Sequence, residues 1–326
     1  MSSISRKFRK THLRVAWLCL GLLASPTVYA QAPLTGEGFV AVPGGPVWYQ
    51  VTGEGAGVPL LVLHGGPGGT SCGYQQFSVL GDERPVIRYD QLGSGRSGRP
   101  NDKSLWTVER YVEELHELRE SLGLDRLHLL GHSWGAALAA AYLLEKGTDG
   151  VVSVTFSSPL LSTPAWVADA NFLRKQLPAD VQETLDRHEA AGTTDSAEYQ
   201  SASAAFYERF VYAGERPERP ADCEAAPWNP IIYRHMWGPT EFHATGTLVD
   251  FDLSPRLAEI DVPALFVTGE FDEARPQTVA RFSRSVPGAR FEVIEGVAHA
   301  SFSKAPERYL AMLEAFLDHA EALAQN

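Results

Sequence analysis

The pentapeptide Gly131-His132-Ser133-Trp134-Gly135 is where residue types and spacing first spell out chemistry. A serine with glycines two positions away on either side fits a nucleophile held on a turn so tight that flanking side chains must be small. The apolar run Leu127 to Leu130 precedes it and an alanine-rich helical stretch follows, which is the strand–turn–helix setting the motif requires. A serine hydroxyl attacks a carbonyl only when a base takes its proton and a carboxylate orients that base. On such a scaffold the chain order is serine, acid, histidine. His299 follows the candidate strand Phe291 to Ile294, and Asp272 follows the candidate strand Ala264 to Thr268. Both fall at strand C-terminal ends, where open α/β sheets build their sites. Glu270 and Glu273 compete with Asp272 for the acid role.

The negative charge that develops on an attacked carbonyl needs backbone donors. His64-Gly65-Gly66-Pro67-Gly68-Gly69 follows the candidate strand Leu60 to Leu63, with glycines that admit close approach and a proline that stiffens the bend. The expected donors are the N–H groups of Gly66 and Trp134. The loop lacks the Gly-Lys-Ser/Thr ending of a phosphate cradle, so nucleotide binding is the weaker reading.

The elements that must carry these loops are legible as alternation. Short apolar runs at Val47–Val51, 60–63, Val86–Tyr89, 127–130, Val151–Phe156, 264–268 and 291–294 alternate with helical patterns, as in an α/β sheet. Between two of them, Val108, Tyr111, Val112, Leu115, Leu118 and Leu122 share one helical face, with Thr107 as N-cap and Gly123 as terminator. A closing helix is expected from Ala305 to Leu323. Residues from about 161 to 250 break the rhythm, with helical patterns, aromatic residues and few strand signals. We therefore expect an α/β core at 31–160 and 251–326 with a helical cap inserted at 161–250. Trp228, Tyr233, Trp237, Phe206 and Phe210 either line a side-chain pocket or form the cap's own core.

Composition narrows the partners. The chain has 326 residues, 44% of them hydrophobic, and a formal net charge of -12. Such an acidic balance argues against nucleic acid, which needs clustered Lys and Arg. Residues 1–14 hold five basic side chains and no acid, Val15 to Ala24 is apolar, and Val28-Tyr29-Ala30 offers small residues at a cleavage site. That order predicts a signal peptide over 1–30, too short to span a bilayer; an uncleaved anchor is the alternative. Its removal leaves 23 basic and 40 acidic side chains, a net of -17. The expected location is periplasmic or secreted, with no stable membrane association after cleavage. Three cysteines exclude a disulfide scaffold and a four-cysteine zinc site. Cys72 and Cys223, far apart in sequence, are expected to be unpaired thiols. No cofactor or metal is expected.

The motifs His64 to Gly69, Asp90-Gln91-Leu92-Gly93-Ser94-Gly95-Arg96-Ser97 and Gly131 to Gly135 together resemble the prolyl aminopeptidase (proline iminopeptidase) family of α/β-hydrolases. Gly238-Pro239-Thr240-Glu241-Phe242, with Gly269 to Pro276, is similar in particular to the tricorn-associated aminopeptidases and L-amino-acid amidases. The resemblance implies an α/β-hydrolase fold, no cofactor, and release of an N-terminal residue from small peptides or amino-acid amides. It further implies that Glu241 and Glu273 hold the substrate's free ammonium. A leader peptide departs from the cytosolic pattern of many members. A general carboxylesterase would use the same triad without paired ammonium-binding acids, and a catalytically dead binding protein would have lost a triad position. The Asp90–Ser97 loop is expected to shape the site's edge, with Arg96 in a structural part.

Overall fold

A computed structural model describes residues 34–218 and 220–325; the leader expected at 1–30 lies outside them. Eight strands form one sheet: β1 Gly36–Val42, β2 Gly45–Thr52, β3 Leu60–Leu63, β4 Val86–Tyr89, β5 Leu127–His132, β6 Val151–Ser157, β7 Ala264–Gly269 and β8 Arg290–Ile294. Their spatial order is β1-β2-β4-β3-β5-β6-β7-β8. The β1–β2 and β2–β4 pairs are antiparallel and the remaining pairs are parallel. This is the mostly parallel sheet flanked by helices that the alternation and the family resemblance led us to expect. Strand β1 is an addition: Gly-Glu-Gly dilutes its alternating pattern, and it exists as the outer arm of a hairpin on β2.

Side chains alternate across the sheet, so each strand feeds two cores. Leu61, Leu63, Ile87 and Leu129 pack with helices α1 (Val108–Ser121) and α2 (Trp134–Lys146) on one face. Leu60, Val62, Val86 and Leu130 pack on the other face against the 71–82 segment and the last helix, Pro306–Leu323. Each such leucine is fully buried, and truncation to alanine at sites of this kind costs about 2–5 kcal/mol. Helix α1 begins at Thr107, whose hydroxyl accepts the Arg110 N–H at 3.3 Å. Past its end, Gly123 takes φ +63°, the left-handed turn favoured after a helix C-terminus.

Between β6 and β7 the chain runs through α3 (Thr163–Arg174), α4 (Ala179–Ala191), α5 (Ala197–Phe206) and α6 (Pro230–Met236), with a π-helical turn at Tyr207–Val211. Phe206 and Phe210 belong to the apolar cluster inside this insertion, with Leu173, Leu185, Tyr199 and Phe242. After β7 come α7 (Pro276–Ser285), then α8 (Ser301–Lys304) and α9 (Pro306–Leu323) beyond β8.

One expectation is overturned. Cys72 and Cys223 are joined in a disulfide with their Cα atoms 5.6 Å apart across 151 residues. Sequence spacing carried no sign of it, because the pairing depends on the insertion folding back over the 71–82 segment. The bond ties the short helical turn Ala221–Ala225 to that segment, with both cysteines buried. No helix among the described residues is long and apolar enough to cross a membrane.

Candidate active site

The turn after β5 is as tight as the sequence demanded. A Cβ on Gly131 would stand 2.3 Å from the Gly135 carbonyl oxygen, and one on Gly135 would stand 2.1 Å from that of Leu63. Between them Ser133 adopts φ 55°, ψ −119°, a conformation that costs a non-glycine residue about 1–3 kcal/mol. Backbone bonds hold it there: its N–H donates to Ser157 O at 2.9 Å, and its carbonyl accepts from Ala136 N–H at 3.0 Å. The residue therefore opens α2 with its side chain at the mouth of a narrow pocket lined by Gly66, Pro67, Trp134, Leu160, Trp166, Tyr233, Trp237 and Glu241.

Gly66 and Trp134, whose N–H groups are the expected oxyanion donors, both line that pocket. Neither the Gly66 nor the Trp134 N–H donates to an acceptor among the described residues. Gly66 sits at φ +50°, in the left-handed region open to glycine. The loop is braced by the Asp90–Ser97 segment: Gln91 N–H donates to His64 Nε2 at 3.0 Å, Gln91 Nε2 to His64 O at 3.1 Å, and Trp134 Nε1 to Gln91 Oε1 at 2.9 Å. Asp90 ties its own loop to the start of the 71–82 segment, accepting from Arg96 N–H at 2.9 Å and from Ser71 N–H at 2.7 Å. The Arg96 guanidinium stacks on Trp48 at 4.4 Å from the ring centroid, a structural placement as expected.

Of the three candidate acids, geometry singles out Asp272. His299 Nδ1 lies 2.9 Å from Asp272 Oδ1, which also accepts the Ala274 N–H at 2.8 Å. Its Oδ2 accepts from the hydroxyls of Ser158 at 2.6 Å and Thr268 at 2.9 Å, and from Gly269 N–H at 3.3 Å. Burial pushes this carboxyl up, but the His299 ring and the donated hydrogen bonds outweigh it and hold the pKa below the usual aspartate value. Burial likewise pushes His299 down, yet the Asp272 carboxylate, its hydrogen bond and Glu241 raise the imidazole above its ordinary value. Glu270 is spent elsewhere, accepting Gly296 N–H at 2.9 Å.

Glu273 is a different kind of carboxylate. It is fully buried, and neither of its oxygens has a hydrogen-bond partner. Its Oε1 lies 3.9 Å from His299 Nε2. Burial first, then the charges of Glu241 and Asp272, push its pKa well above the usual range. Glu241, partly buried at the pocket wall, is raised too, chiefly by burial. The two glutamates expected as a pair are thus brought within each other's field beside the histidine. Such an arrangement can deprotonate Ser133, stabilise an oxyanion and accept a cationic group.

Several residues were not singled out from sequence. Ser158, held at φ 46°, follows β6, and its place at a strand C-terminal end was the available signal. Thr268, the last residue but one of β7, had the same signal. Trp166 packs edge-on to His299 at 5.6 Å and donates its Nε1–H to Glu241 O at 2.9 Å; nothing local marked it. The π-helical turn carries three contacts to the site. Phe210 O accepts Glu273 N–H at 3.2 Å, Val211 O accepts Ala300 N–H at 3.1 Å, and the Tyr207 hydroxyl accepts Glu241 N–H at 3.2 Å. Of the aromatics considered for a pocket, Tyr233 and Trp237 line it, whereas Trp228 is 46% exposed.

Comparisons with known proteins bear on the scaffold that carries these residues. Residues 58–306 match the family model described as alpha/beta hydrolase fold. A proline iminopeptidase from Heyndrickxia coagulans is 47% identical over 284 residues, covering 86% of this chain and 98% of that relative. One from Clostridium botulinum is 35% identical, covering 83% of this chain and 94% of the relative. The crystal structure of proline iminopeptidase from Mycobacterium smegmatis superposes with a TM-score of 0.80 at 37% identity, covering 89% of this chain and 100% of that one.

Proposed function

The chain belongs to the proline iminopeptidase family of α/β-hydrolases, and from that premise we propose that it is an exported serine aminopeptidase releasing the N-terminal residue of small peptides or amino-acid amides. The observation that carries the free-amine requirement is Glu273, fully buried beside the Asp272–His299 pair with both oxygens unpaired. A buried carboxylate without donors costs several kcal/mol unless a ligand supplies them. A substrate α-ammonium held between Glu273 and Glu241 supplies them, and it sets the register so that cleavage falls after the first residue.

In the reaction Ser133 Oγ bonds to the substrate carbonyl carbon while its proton passes to His299 Nε2. Asp272 orients the ring through Nδ1 and stabilises the imidazolium. The Gly66 and Trp134 N–H groups receive the oxyanion. His299 then protonates the leaving nitrogen, the C–N bond breaks, and an acyl-enzyme remains. Water, deprotonated by His299, releases the free amino acid and restores Ser133. In this reading residues 161–250 are a cap carrying Glu241 over a core formed by 31–160 and 251–326.

Export is supported by the basic-then-apolar order of residues 6–24, the small residues Val28 and Ala30, and the Cys72–Cys223 bond. Disulfides persist in oxidising compartments. N-terminal sequencing of the protein from a native extracytoplasmic fraction should begin at or near Gln31; full-length protein confined to the cytosol overturns this part.

The test of function pairs Ser133→Ala with matched free and N-acetylated aminoacyl anilides. The variant should lose nearly all turnover. Acetylation, which removes the charge that both glutamates bind, should lower kcat/KM by about two to four decades. Equal rates on the two substrates would favour the carboxylesterase reading, which has no use for a second, unpaired carboxylate.

A further inference from the structure

His132, the residue before Ser133 in the tight turn, sits in a continuous chain of hydrogen bonds that joins two separate parts of the site. Gly65 N–H donates to the Tyr74 hydroxyl at 2.9 Å. Tyr74 Oη lies 2.9 Å from His132 Nδ1, and His132 Nε2 lies 3.0 Å from the backbone carbonyl oxygen of His299. The ends settle the direction of every link, because an amide can only donate and a carbonyl can only accept. Tyr74 therefore gives its proton to Nδ1, and Nε2 carries the hydrogen donated to His299 O. One tautomer of one neutral ring satisfies all three bonds.

We propose that Tyr74 and His132 are positioning residues that lock the spacing between the oxyanion loop at Gly65–Gly66 and the backbone of His299. The inference rests on the roles of Ser133 and His299 given above and adds a cause for their alignment. A rigid link is what catalysis by fixed dipoles and a fixed base requires, since a misplacement of about 1 Å costs about a hundredfold.

Surroundings fit a rigid, uncharged strut. The His132 ring packs at 4.6 Å from the His299 ring and at 4.8 Å from Phe302, and Tyr74 stacks on Phe302 at 4.9 Å. Both Tyr74 and His132 are buried. Burial, then the neighbouring His299 charge, drive the His132 pKa down to about 3, so the ring stays neutral when His299 takes the serine proton. A Cβ on Gly65 would stand 2.9 Å from His132 Nδ1, so the loop and the ring are also in steric register. The Ser158 hydroxyl is 3.3 Å from His299 O but 2.6 Å from Asp272 Oδ2. Its single proton goes to the carboxylate, leaving His132 as the donor to that carbonyl.

The experiment compares the parent, Tyr74→Phe, His132→Phe and the double variant on one aminoacyl anilide and one aminoacyl ester, and measures the rate of Ser133 labelling by a fluorophosphonate. Each single variant should lower kcat about 10- to 100-fold on both substrates with KM within about threefold, and should slow labelling by a similar factor. The double should be no more than about twofold worse than the poorer single, because both changes cut one chain. A folded Tyr74→Phe with kcat within about twofold of the parent overturns the proposal, as do losses that multiply in the double or appear only in KM. If Tyr74→Phe does not fold, His132→Phe decides by the same kcat criterion. Independently, ¹⁵N NMR of the parent should show His132 as the neutral Nε2–H tautomer from pH 5 to 9, within the range implied by a pKa of about 3; an Nδ1–H or charged ring overturns the chain. Ser133→Ala run alongside separates the two ideas: full turnover there defeats the serine mechanism, whereas its loss together with an unimpaired Tyr74→Phe defeats only the strut.

Discussion

Asp272 and Glu273 are consecutive in the chain and both are cut off from solvent, yet their surroundings are opposite. Asp272 receives two side-chain hydroxyls, two backbone amides and the His299 ring. Glu273 receives none of these and faces Glu241 instead. The first carboxylate is held ionised before any substrate arrives, as an orienting group must be. The second is left with its pKa raised and its oxygens without a hydrogen-bond partner, which is where the proposed reaction places the substrate ammonium. Both lie in the loop between β7 and α7, whose two sides have different neighbours. One side faces the hydroxyls of Ser158 and Thr268, and the other faces the inserted helices.

The largest effect should come from Asp272→Asn. It leaves the site's shape intact but removes the charge that orients His299, and loss of kcat by about four decades is expected on amine and ester substrates alike. Steady-state kinetics on both substrates checks this; a loss confined to free amines would erase the distinction between the two acids. Glu273→Gln should do the reverse, lowering kcat/KM for free-amine substrates by about one to two decades while sparing simple acyl esters. Equal losses on both would place Glu273 in the chemistry rather than in binding.

The two acids also separate by pH. His299 must be neutral to take the serine proton, and Asp272 raises its pKa. Activity on every substrate should therefore fall on the acid side with a midpoint above the ordinary histidine value of about 6.5. Free-amine substrates should show a second, alkaline fall as their ammonium deprotonates near pH ~8, and N-acetylated ones should not. An alkaline limb shared by both would disconnect it from the ammonium. The smallest effect on rate is expected for Cys72→Ser with Cys223→Ser, which frees the 221–225 turn from the 71–82 segment without touching either carboxylate. Stability should drop by about 2–5 kcal/mol, read by denaturant unfolding, with kcat within about twofold of the parent. A large loss of kcat would mean that the bond helps to hold the site itself.

Much of the site was legible because its constraints are local. Gly131 is required by the Gly135 carbonyl four residues away, so a short motif carries that demand, although Gly135 also answers to the Leu63 carbonyl on the neighbouring strand. His299 was legible from its place after an apolar run. Asp272 was the acid favoured from sequence, but Glu270 and Glu273 remained competitors, since all three occupy one loop and differ only in what meets them. Trp166 and the π-helical turn left no mark, because an insertion's helices advertise their own packing and not the surface they later cover. The outer strand β1 escaped notice because its glycines weaken the alternation that its partner β2 sustains.

By itself, then, the order of residues determined the alternating sheet, the strained serine turn, the glycine-rich loop and the family to which the chain belongs. The first three follow from periodicity and from short-range steric limits, and the family follows from the resemblance carried by its motifs. Only the tertiary structure separated Asp272 from its competitors Glu270 and Glu273, through the His299 ring and through the hydroxyl of Ser158, 114 residues away. It alone paired Cys72 with Cys223 across 151 residues, and it alone ran the link from Gly65 through Tyr74 and His132 to His299. Such contacts depend on where distant segments end up in space. A linear pattern reports what each segment prefers, but packing of the whole chain determines which segments meet.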